Sequence, residues 1–177
     1  MGLGNPGRRY KGSRHNAGFM AADRLMERGS LLARGKWPDG ELALVEVASM
    51  RFLVLKPATY MNNSGRAVAP ALKSYRLDPE RMVVIHDDID IPLGEVKVKK
   101  GGGTAGHRGL VSIVEEIGEA GFTRVRIGVG RPPEGTEPAD YVLTDFQDEE
   151  LEVAGASVGR AAQAAVDLLS GVESGNG

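Results

Sequence analysis

The chain has 177 residues, which is most simply one domain and is long enough to bury a substantial core. It contains no cysteine, which excludes disulfides, thiol nucleophiles and cysteine-based metal sites. No apolar run is long enough to span a membrane and no signal-peptide pattern is present, so we expect a soluble cytosolic protein.

The net charge of −2 conceals an asymmetry along the chain. Residues 1–100 carry 17 basic and 11 acidic side chains, whereas residues 101–177 carry 5 and 13. A local basic face can bind a polyanion despite the acidic total, because exposed charges are screened beyond about 10 Å. The asymmetry alone does not specify nucleic acid.

The first segment, residues 2–19, is dense in glycine, basic residues and polar side chains. Gly4-Asn5-Pro6-Gly7 is a turn sequence, since Asn and Gly tolerate positive φ and Pro presets its own φ. His15 follows at the entrance to an apolar helical run. An amide and an imidazole beside clustered positive charge are typical of a site for an anionic, carbonyl-bearing substrate.

Two other interpretations of this segment compete with a catalytic one. The glycines at 2, 4 and 7 match a dinucleotide-binding fingerprint, which would suit a nicotinamide-dependent oxidoreductase. That motif requires a strand before it and a helix directly after it, and the sequence provides neither. The second interpretation is a structural turn with a solvated basic face.

Hydrophobic patterning predicts alternating helices and strands in the rest of the chain. Helices are predicted at 16–28, 64–75, 110–117 and 148–169. Strands are predicted at 41–48 and 51–56, joined as a hairpin, and at 81–92, 94–100 and 122–130. Loops are predicted at 35–40 and 131–140, and a disordered tail at 171–177.

The strand at 81–92 ends in a cluster of ionisable residues. Residues 82–85 are continuously apolar, as expected of a buried central strand, and His86, Asp87, Asp88 and Asp90 follow. Ligands of α/β sheets bind beyond the carboxyl ends of such strands. Because side chains alternate along an extended segment, one of Asp87 and Asp88 should point inward, and we expect Asp90 to face solvent.

Two further segments carry polar groups near helix starts. Asn62 precedes helix 64–75, where an amide can cap the helix or donate to a carbonyl. The glycine-rich segment 101–109 can bring backbone N–H groups close to an anion. Basic pairs lie on common strand faces at Lys97 with Lys99 and at Arg124 with Arg126. The three histidines are scattered without metal-site spacing, so no zinc site is predicted.

Seven motifs stand in the order and spacing of one known family. They are G-L-G-N-P-G, Y-x(4)-H-N-A-G, T-Y-M-N-x-S-G, H-D-D-x-D, the lysine pair, G-G-G-T-A-G-H-R-G-L and R-V-R-I-G-V-G-R-P. On these motifs the chain resembles bacterial peptidyl-tRNA hydrolase, and the resemblance covers residues 2–169.

The resemblance implies a single-domain α/β fold at residues 1–170, with a mixed twisted β-sheet flanked by helices. It implies a cytoplasmic monomer that hydrolyses the ester joining a peptide to the terminal ribose of tRNA, which recycles tRNA from stalled ribosomes. It further implies that no metal or organic cofactor is needed. A non-catalytic RNA-binding relative of the same fold is the alternative.

The resemblance also implies roles for individual residues. His15 corresponds to the catalytic base and Asp87 to the carboxylate that orients it, while Asn5 and Asn62 position the substrate and stabilise the reacting carbonyl. The residues expected to bind substrate or tRNA are Tyr10, Tyr60, Met61, Lys97, Lys99, His107, Arg108 and Arg126.

Within that second group, Lys97 and Arg126 resemble the pair that grips the tRNA 5′-phosphate at the acceptor stem. Arg108 stands where the family usually has Asn, so we expect it to contact phosphate instead of donating an amide.

Overall fold

The computed structural model describes residues 1–171 of the chain. Of the predicted tail at 171–177, Gly171 ends the last helix and the remainder lies outside the described residues. The described helices are α1 (Ala17–Arg28), α2 (Gly65–Tyr75), α3 (Arg108–Ile117), α4 (Pro138–Tyr141) and α5 (Leu151–Ser170). The strands are β1 (Ser30–Trp37), β2 (Gly40–Val47), β3 (Met50–Pro57), β4 (Val83–Asp88), β5 (Val96–Lys100) and β6 (Thr123–Gly128).

The first three strands form an antiparallel sheet in the order β1-β2-β3. The predicted hairpin is confirmed, and its turn is made by Ala48 and Ser49, both at positive φ. Strand β1 was not predicted and extends into the expected loop at 35–40. Most of its side chains are exposed on both faces, so its sequence carries no alternating pattern.

The other three strands form a mixed sheet in the order β4-β6-β5, in which β4 is parallel and β5 antiparallel to β6. The strands therefore form two small sheets instead of one. The backbone of residues 1–3 lies between them: Gly2 N–H donates to Leu55 in β3, and Leu3 N–H donates to Ile85 in β4. Strand β4 consequently has neighbours on both sides and is buried, as its apolar run predicted.

Helices cover both faces of the second sheet, and alternation along β4 divides the core between them. Val83 and Ile85 belong to the cluster that includes α1 and α5, whereas Val84 belongs to the cluster that includes α2 and α3. Each fully buried aliphatic side chain contributes roughly 1.5–3 kcal/mol to stability. The predicted α/β fold with helices flanking the strands is confirmed.

Helix α1 lies against β4 and residues 1–3 because Gly18 has no side chain. A Cβ atom at Gly18 would lie 2.3 Å from the Ile85 carbonyl oxygen and 2.6 Å from the backbone of Leu3. This close approach places the turn before α1 directly beside the carboxyl end of β4. The predicted loop at 131–140 also differs from the structure, since its end forms the short helix α4.

None of the helices within residues 1–171 combines the length and apolar character that a membrane crossing requires.

Candidate active site

A cavity of about 580 Å³ opens beyond the carboxyl end of β4. Its walls come from the first turn, the segment before α2, the end of β4, the glycine-rich loop before α3, and the segment from α4 to Leu143. Of the predicted site residues, only Lys97 lies outside its lining. Those that line it are Asn5, Tyr10, His15, Tyr60, Met61, Asn62, Asp87, Lys99, His107, Arg108 and Arg126.

His15 and Asp87 are in direct contact at the base of this cavity. His15 Nδ1 lies 2.8 and 2.9 Å from the two carboxylate oxygens of Asp87. The Asp87 side chain is 2% exposed and that of His15 is 11% exposed. Side chains alternate along a strand, so Asp87 faces the same side of the sheet as Val83 and Ile85, which is the side covered by α1. His15 lies in the turn directly before α1 and so reaches Asp87 from that side.

The electrostatics of Asp87 fix how the His15 ring is protonated. Burial alone would raise the pKa of Asp87, but the imidazoles of His15 and His107 lower it well below its ordinary value. An ionised carboxylate can only accept, so His15 Nδ1 carries a hydrogen and donates it. In this tautomer the lone pair of the imidazole lies at His15 Nε2.

Asp87 is shared between two imidazoles. His107, the residue before α3, donates from Nε2 to Asp87 Oδ1 over 2.9 Å. Two histidines that are scattered in the sequence are thus brought together around one carboxylate. The sequence spacing of the histidines gave no sign of this group, whose three potential ligand atoms lie within 4.8 Å of one another.

His86 lies behind His107, with ring centroids 4.7 Å apart. Its Nδ1 donates to the Asp87 carbonyl oxygen over 2.6 Å. Burial and the neighbouring His107 lower the pKa of His86 to about 3, so its ring stays neutral. Among the described residues, neither His86 Nε2 nor His107 Nδ1 has a hydrogen-bond partner, although both atoms are buried.

The amide of Asn5 is held in a fixed orientation. Asn5 Oδ1 accepts from the Met61 N–H over 2.8 Å, which turns Nδ2 into the available donor. Asn16 fixes the backbone of the same residue, because its side chain accepts from Asn5 N–H and donates to Asn5 O. Asn62 is exposed at the cavity wall, in the short helix Met61–Asn63 that precedes α2.

Sequence reasoning missed Arg14, a buried residue beside His15. Its guanidinium donates to Thr144 Oγ1, to backbone oxygens of Thr144 and Asp145, and to the carboxylate of Glu150. It also stacks on the rings of Tyr141 and Phe146. The sequence feature that could have indicated this role is the position of Arg14, a basic residue directly before His15.

Backbone hydrogen bonds also join the turn that contains Arg14 and His15 to the segment at 141–150. Arg14 N–H donates to Thr144 O and His15 N–H donates to Val142 O. The segment at 141–150 is therefore fixed to the turn that carries His15, and its Val142 forms part of the cavity wall.

The glycine-rich loop forms a second wall of the cavity, and the side chain of Arg124 supports it. Arg124 is 2% exposed, and its guanidinium donates to the carbonyl oxygens of Gly102 and Gly103. Gly102 and Gly106 adopt positive φ, so the loop bends where side chains would be strained. Arg124 is thus structural, although its strand face also carries Arg126.

The basic residues predicted to hold phosphate form a pair on the second sheet. Lys97 in β5 lies directly opposite Arg126 in β6. Lys97 is 55% exposed, whereas Arg126 is 25% exposed and donates to the Asp88 carboxylate over 2.8 Å. Arg108 is exposed at the start of α3, where cavity and solvent meet. Of the acids at the end of β4, Asp87 points inward and Asp90 faces solvent, as predicted.

Comparison with known proteins gives one consistent result. The family model described as peptidyl-tRNA hydrolase matches residues 1–175. The peptidyl-tRNA hydrolase of Geobacter sulfurreducens is 51% identical over 151 residues, which are 85% of this chain and 78% of the relative. That of Thermus thermophilus is 48% identical over 153 residues, 86% of this chain and 79% of the relative.

The fold has a matching solved structure. The crystal structure of peptidyl-tRNA hydrolase from Acinetobacter baumannii superposes with a TM-score of 0.88 at 34% identity. The match covers 96% of this chain and 87% of that one.

Proposed function

The chain belongs to the peptidyl-tRNA hydrolase family, and we propose that it hydrolyses peptidyl-tRNA with His15 as the base that activates water. The scissile bond is the ester between the peptide and the 3′-terminal ribose of tRNA. The observation that carries the proposal is the contact between His15 Nδ1 and the buried Asp87 carboxylate. The alternative of a non-catalytic RNA-binding relative is not favoured, since this pair is intact.

The proton has a defined path in this mechanism. Asp87 holds the Nδ1–H tautomer of His15, so Nε2 takes a proton from water as the oxygen attacks the ester carbonyl. The imidazolium that forms is stabilised by Asp87, and it returns the proton to the 3′-oxygen as the ester bond breaks. General base catalysis of this kind supplies about 10²–10⁴-fold in rate.

The amides act on the developing oxyanion. With its oxygen engaged by Met61, Asn5 presents Nδ2 as a donor toward the cavity, and Asn62 offers a second amide at the wall. A well-placed amide donor is worth about 10²–10³-fold in kcat. Tyr10, Tyr60, Met61 and His107 line the cavity around this centre and are proposed to contact the peptide or the terminal nucleotide.

The basic residues are proposed to bind the acceptor stem. Lys97 and Arg126 face each other across β5 and β6 and suit a terminal phosphate, while Lys99 and Arg108 at the cavity edge suit the adjacent backbone. Since the peptide is attached by ribosomes, we place this activity in the cytoplasm. We further propose that the protein acts as a monomer, because one chain supplies every residue of the proposed mechanism.

The test replaces the base while keeping the shape of the site. His15→Asn should abolish hydrolysis of N-acetyl-aminoacyl-tRNA in single-turnover assays, because the amide cannot accept the proton of water. Affinity for tRNA, measured with a non-hydrolysable amide-linked analogue, should stay close to that of the unmodified protein. Retained hydrolysis would remove His15 from the mechanism, and lost binding would make its role structural.

A further inference from the structure

The cluster of His15, Asp87 and His107 offers three potential metal-ligand atoms, all within 4.8 Å of one another. His15 Nδ1 is 2.8 Å and His107 Nε2 is 2.9 Å from the same oxygen, Asp87 Oδ1. We propose that this cluster is an inhibitory site for one Zn²⁺ ion, bound by the two imidazole nitrogens and the carboxylate. Binding of zinc does not depend on the proposed function, whereas inhibition of hydrolysis does.

The donor set suits zinc. Two imidazoles and one carboxylate, with a fourth position open to a cavity, are the ligands that Zn²⁺ takes in open sites. With Zn–N and Zn–O distances of about 2.0–2.1 Å, tetrahedral ligand atoms lie roughly 3.3 Å apart. Each imidazole nitrogen therefore needs to move away from Asp87 Oδ1 by only a few tenths of an ångström. Asp87 also supplies a carboxylate that is buried at the base of the cavity.

Zinc requires both histidines to change tautomer without losing a proton. The nitrogens that face Asp87 now carry hydrogens, and metal ligation needs lone pairs at these atoms. For His107 the proton would move to Nδ1, which is buried and has no partner among the described residues. In the described part of the chain, His86 Nε2 is also buried without a hydrogen-bond partner. It lies on the adjacent ring, whose centroid is 4.7 Å away, and its lone pair can accept.

The same change would disable His15. When zinc occupies Nδ1, the proton of the neutral ring resides on Nε2, the atom that must take a proton from water. The ring keeps its position but can no longer act as a base. The Asp87 carboxylate ligates zinc and no longer accepts a hydrogen bond from His15. Zinc should therefore inhibit the reaction without blocking the tRNA-binding surface at Lys97 and Arg126.

The first experiment measures zinc binding directly, by calorimetric titration of chelator-treated, full-length protein with ZnCl₂. We expect one ion per chain. His107→Gln, which keeps an amide donor but loses a ligand, should bind at least ~10-fold more weakly. Asp90→Asn is the matched control, since this exposed acid lies on the same turn outside the cluster, and it should bind as the unmodified chain does. Thermal melting checks that both variants are folded.

The second experiment tests the tautomer change. Nitrogen-15 spectra of histidine-labelled protein should show the proton of His15 moving from Nδ1 to Nε2 as zinc is added. Hydrolysis should fall in parallel and return when EDTA is supplied.

The outcomes separate this inference from the proposed function. Absence of one-to-one binding, or equal affinity in His107→Gln, would overturn the site. Bound zinc with undiminished hydrolysis would overturn the inhibitory mechanism. If the zinc-free protein hydrolyses no ester at all while zinc still binds at the cluster, the proposed function fails and the metal site stands.

Discussion

The buried side chain of Arg14 connects the turn before α1 to the segment at 144–150. Its guanidinium binds four oxygens from residues 144–150 and stacks on two aromatic rings, while the next residue in the chain is His15. Arginine suits this role because its planar fork can donate in several fixed directions at once. A buried charge with this many partners is costly to replace, since any change leaves carbonyl and carboxylate oxygens unpaired.

We predict that Arg14→Lys lowers kcat for hydrolysis by at least ~10-fold. Lysine keeps the positive charge but cannot bind the same four oxygens, so residues 144–150 would shift relative to His15. Small displacements of catalytic groups lower the reaction rate strongly. Single-turnover rates together with the affinity for a non-hydrolysable analogue measure the effect. Arg9→Lys is the control, as Arg9 is exposed on the same segment. An unchanged kcat in folded Arg14→Lys protein would show that the cavity wall does not depend on this anchor.

At the scale of elements, strands β5 and β6 present a basic pair, and β4 supplies its counter-ion. Lys97 and Arg126 are opposite each other in register, and Asp88 in β4 binds Arg126. A phosphate bound at the proposed clamp would therefore compete with Asp88 for Arg126. Lys97 is largely exposed, and its ion pair with Glu95 is longer, at 3.4 Å. The strands fix the spacing between the two charges, which a pair of flexible loops could not do.

Substituting either basic residue should change how salt affects binding. For tRNA binding, we expect the slope of log Kd against log salt concentration to decrease by about one in Lys97→Gln and by about one in Arg126→Gln, because each variant loses one phosphate contact. Filter binding at several salt concentrations measures this. Asp88→Asn should strengthen binding, since it frees Arg126. Arg24→Gln, an exposed residue paired with Glu27 on α1, should leave the slope unchanged, and an equal effect in that variant would count against a localised clamp.

The approach of α1 to β4 gives a second prediction at this scale. Gly18→Ala should reduce the free energy of unfolding by at least ~2 kcal/mol, because its Cβ would meet backbone atoms of Ile85 and Leu3 that cannot move independently. Gly155→Ala on α5 is the matched control. Its added methyl meets no atom of residues 1–171 within 4 Å, so the better helix propensity should stabilise the protein by roughly 0.5–1 kcal/mol. Urea denaturation compares the two, and equal stability changes would contradict the packing argument.

At the scale of the whole molecule, the buried ionisable groups behind the cavity couple folding to pH. The pKa of His86 is lowered to about 3, chiefly by burial, and the pKa of Asp87 is also lowered by the facing imidazoles. An unfolded chain binds a proton at a histidine near pH 6.5, whereas folded His86 does not until about pH 3. Unfolding therefore takes up protons in this range, and acid favours the unfolded state.

We expect stability to be retained above pH 6.5 and to fall on acidification, with His86 contributing up to ~1.4 kcal/mol per pH unit between pH 6.5 and 4. Asp87 adds to the loss below about pH 4, the range in which an unfolded aspartate takes up its proton. Denaturation midpoints across this range measure the slope, and His86→Gln should flatten it above pH 4. Equal slopes in the two proteins would exclude His86 as the responsible group.

The sequence by itself determined the local elements and the chemical inventory of this protein. The helices at 16–28 and 110–117, the hairpin and the buried strand β4 follow from short-range patterning. The order and spacing of the motifs carried the family resemblance, which implied roles for His15, Asp87, Asn5 and Asn62. Local backbone preferences and burial periodicity extend over only a few residues, so they can be read along the chain.

The tertiary structure decided which of these groups meet, beyond the pairing of His15 with Asp87 that the resemblance implied. His15 and Asp87 are 72 positions apart, and His107 joins them from a third segment. The hydrogen-bond acceptors of Arg14 are some 130 residues away in the sequence, and Arg126 donates to the Asp88 carboxylate. Strand β1, which carries no burial pattern, forms because β2 offers it hydrogen bonds. These contacts depend on how α1, β4 and α3 pack, and no local property of the chain encodes that packing.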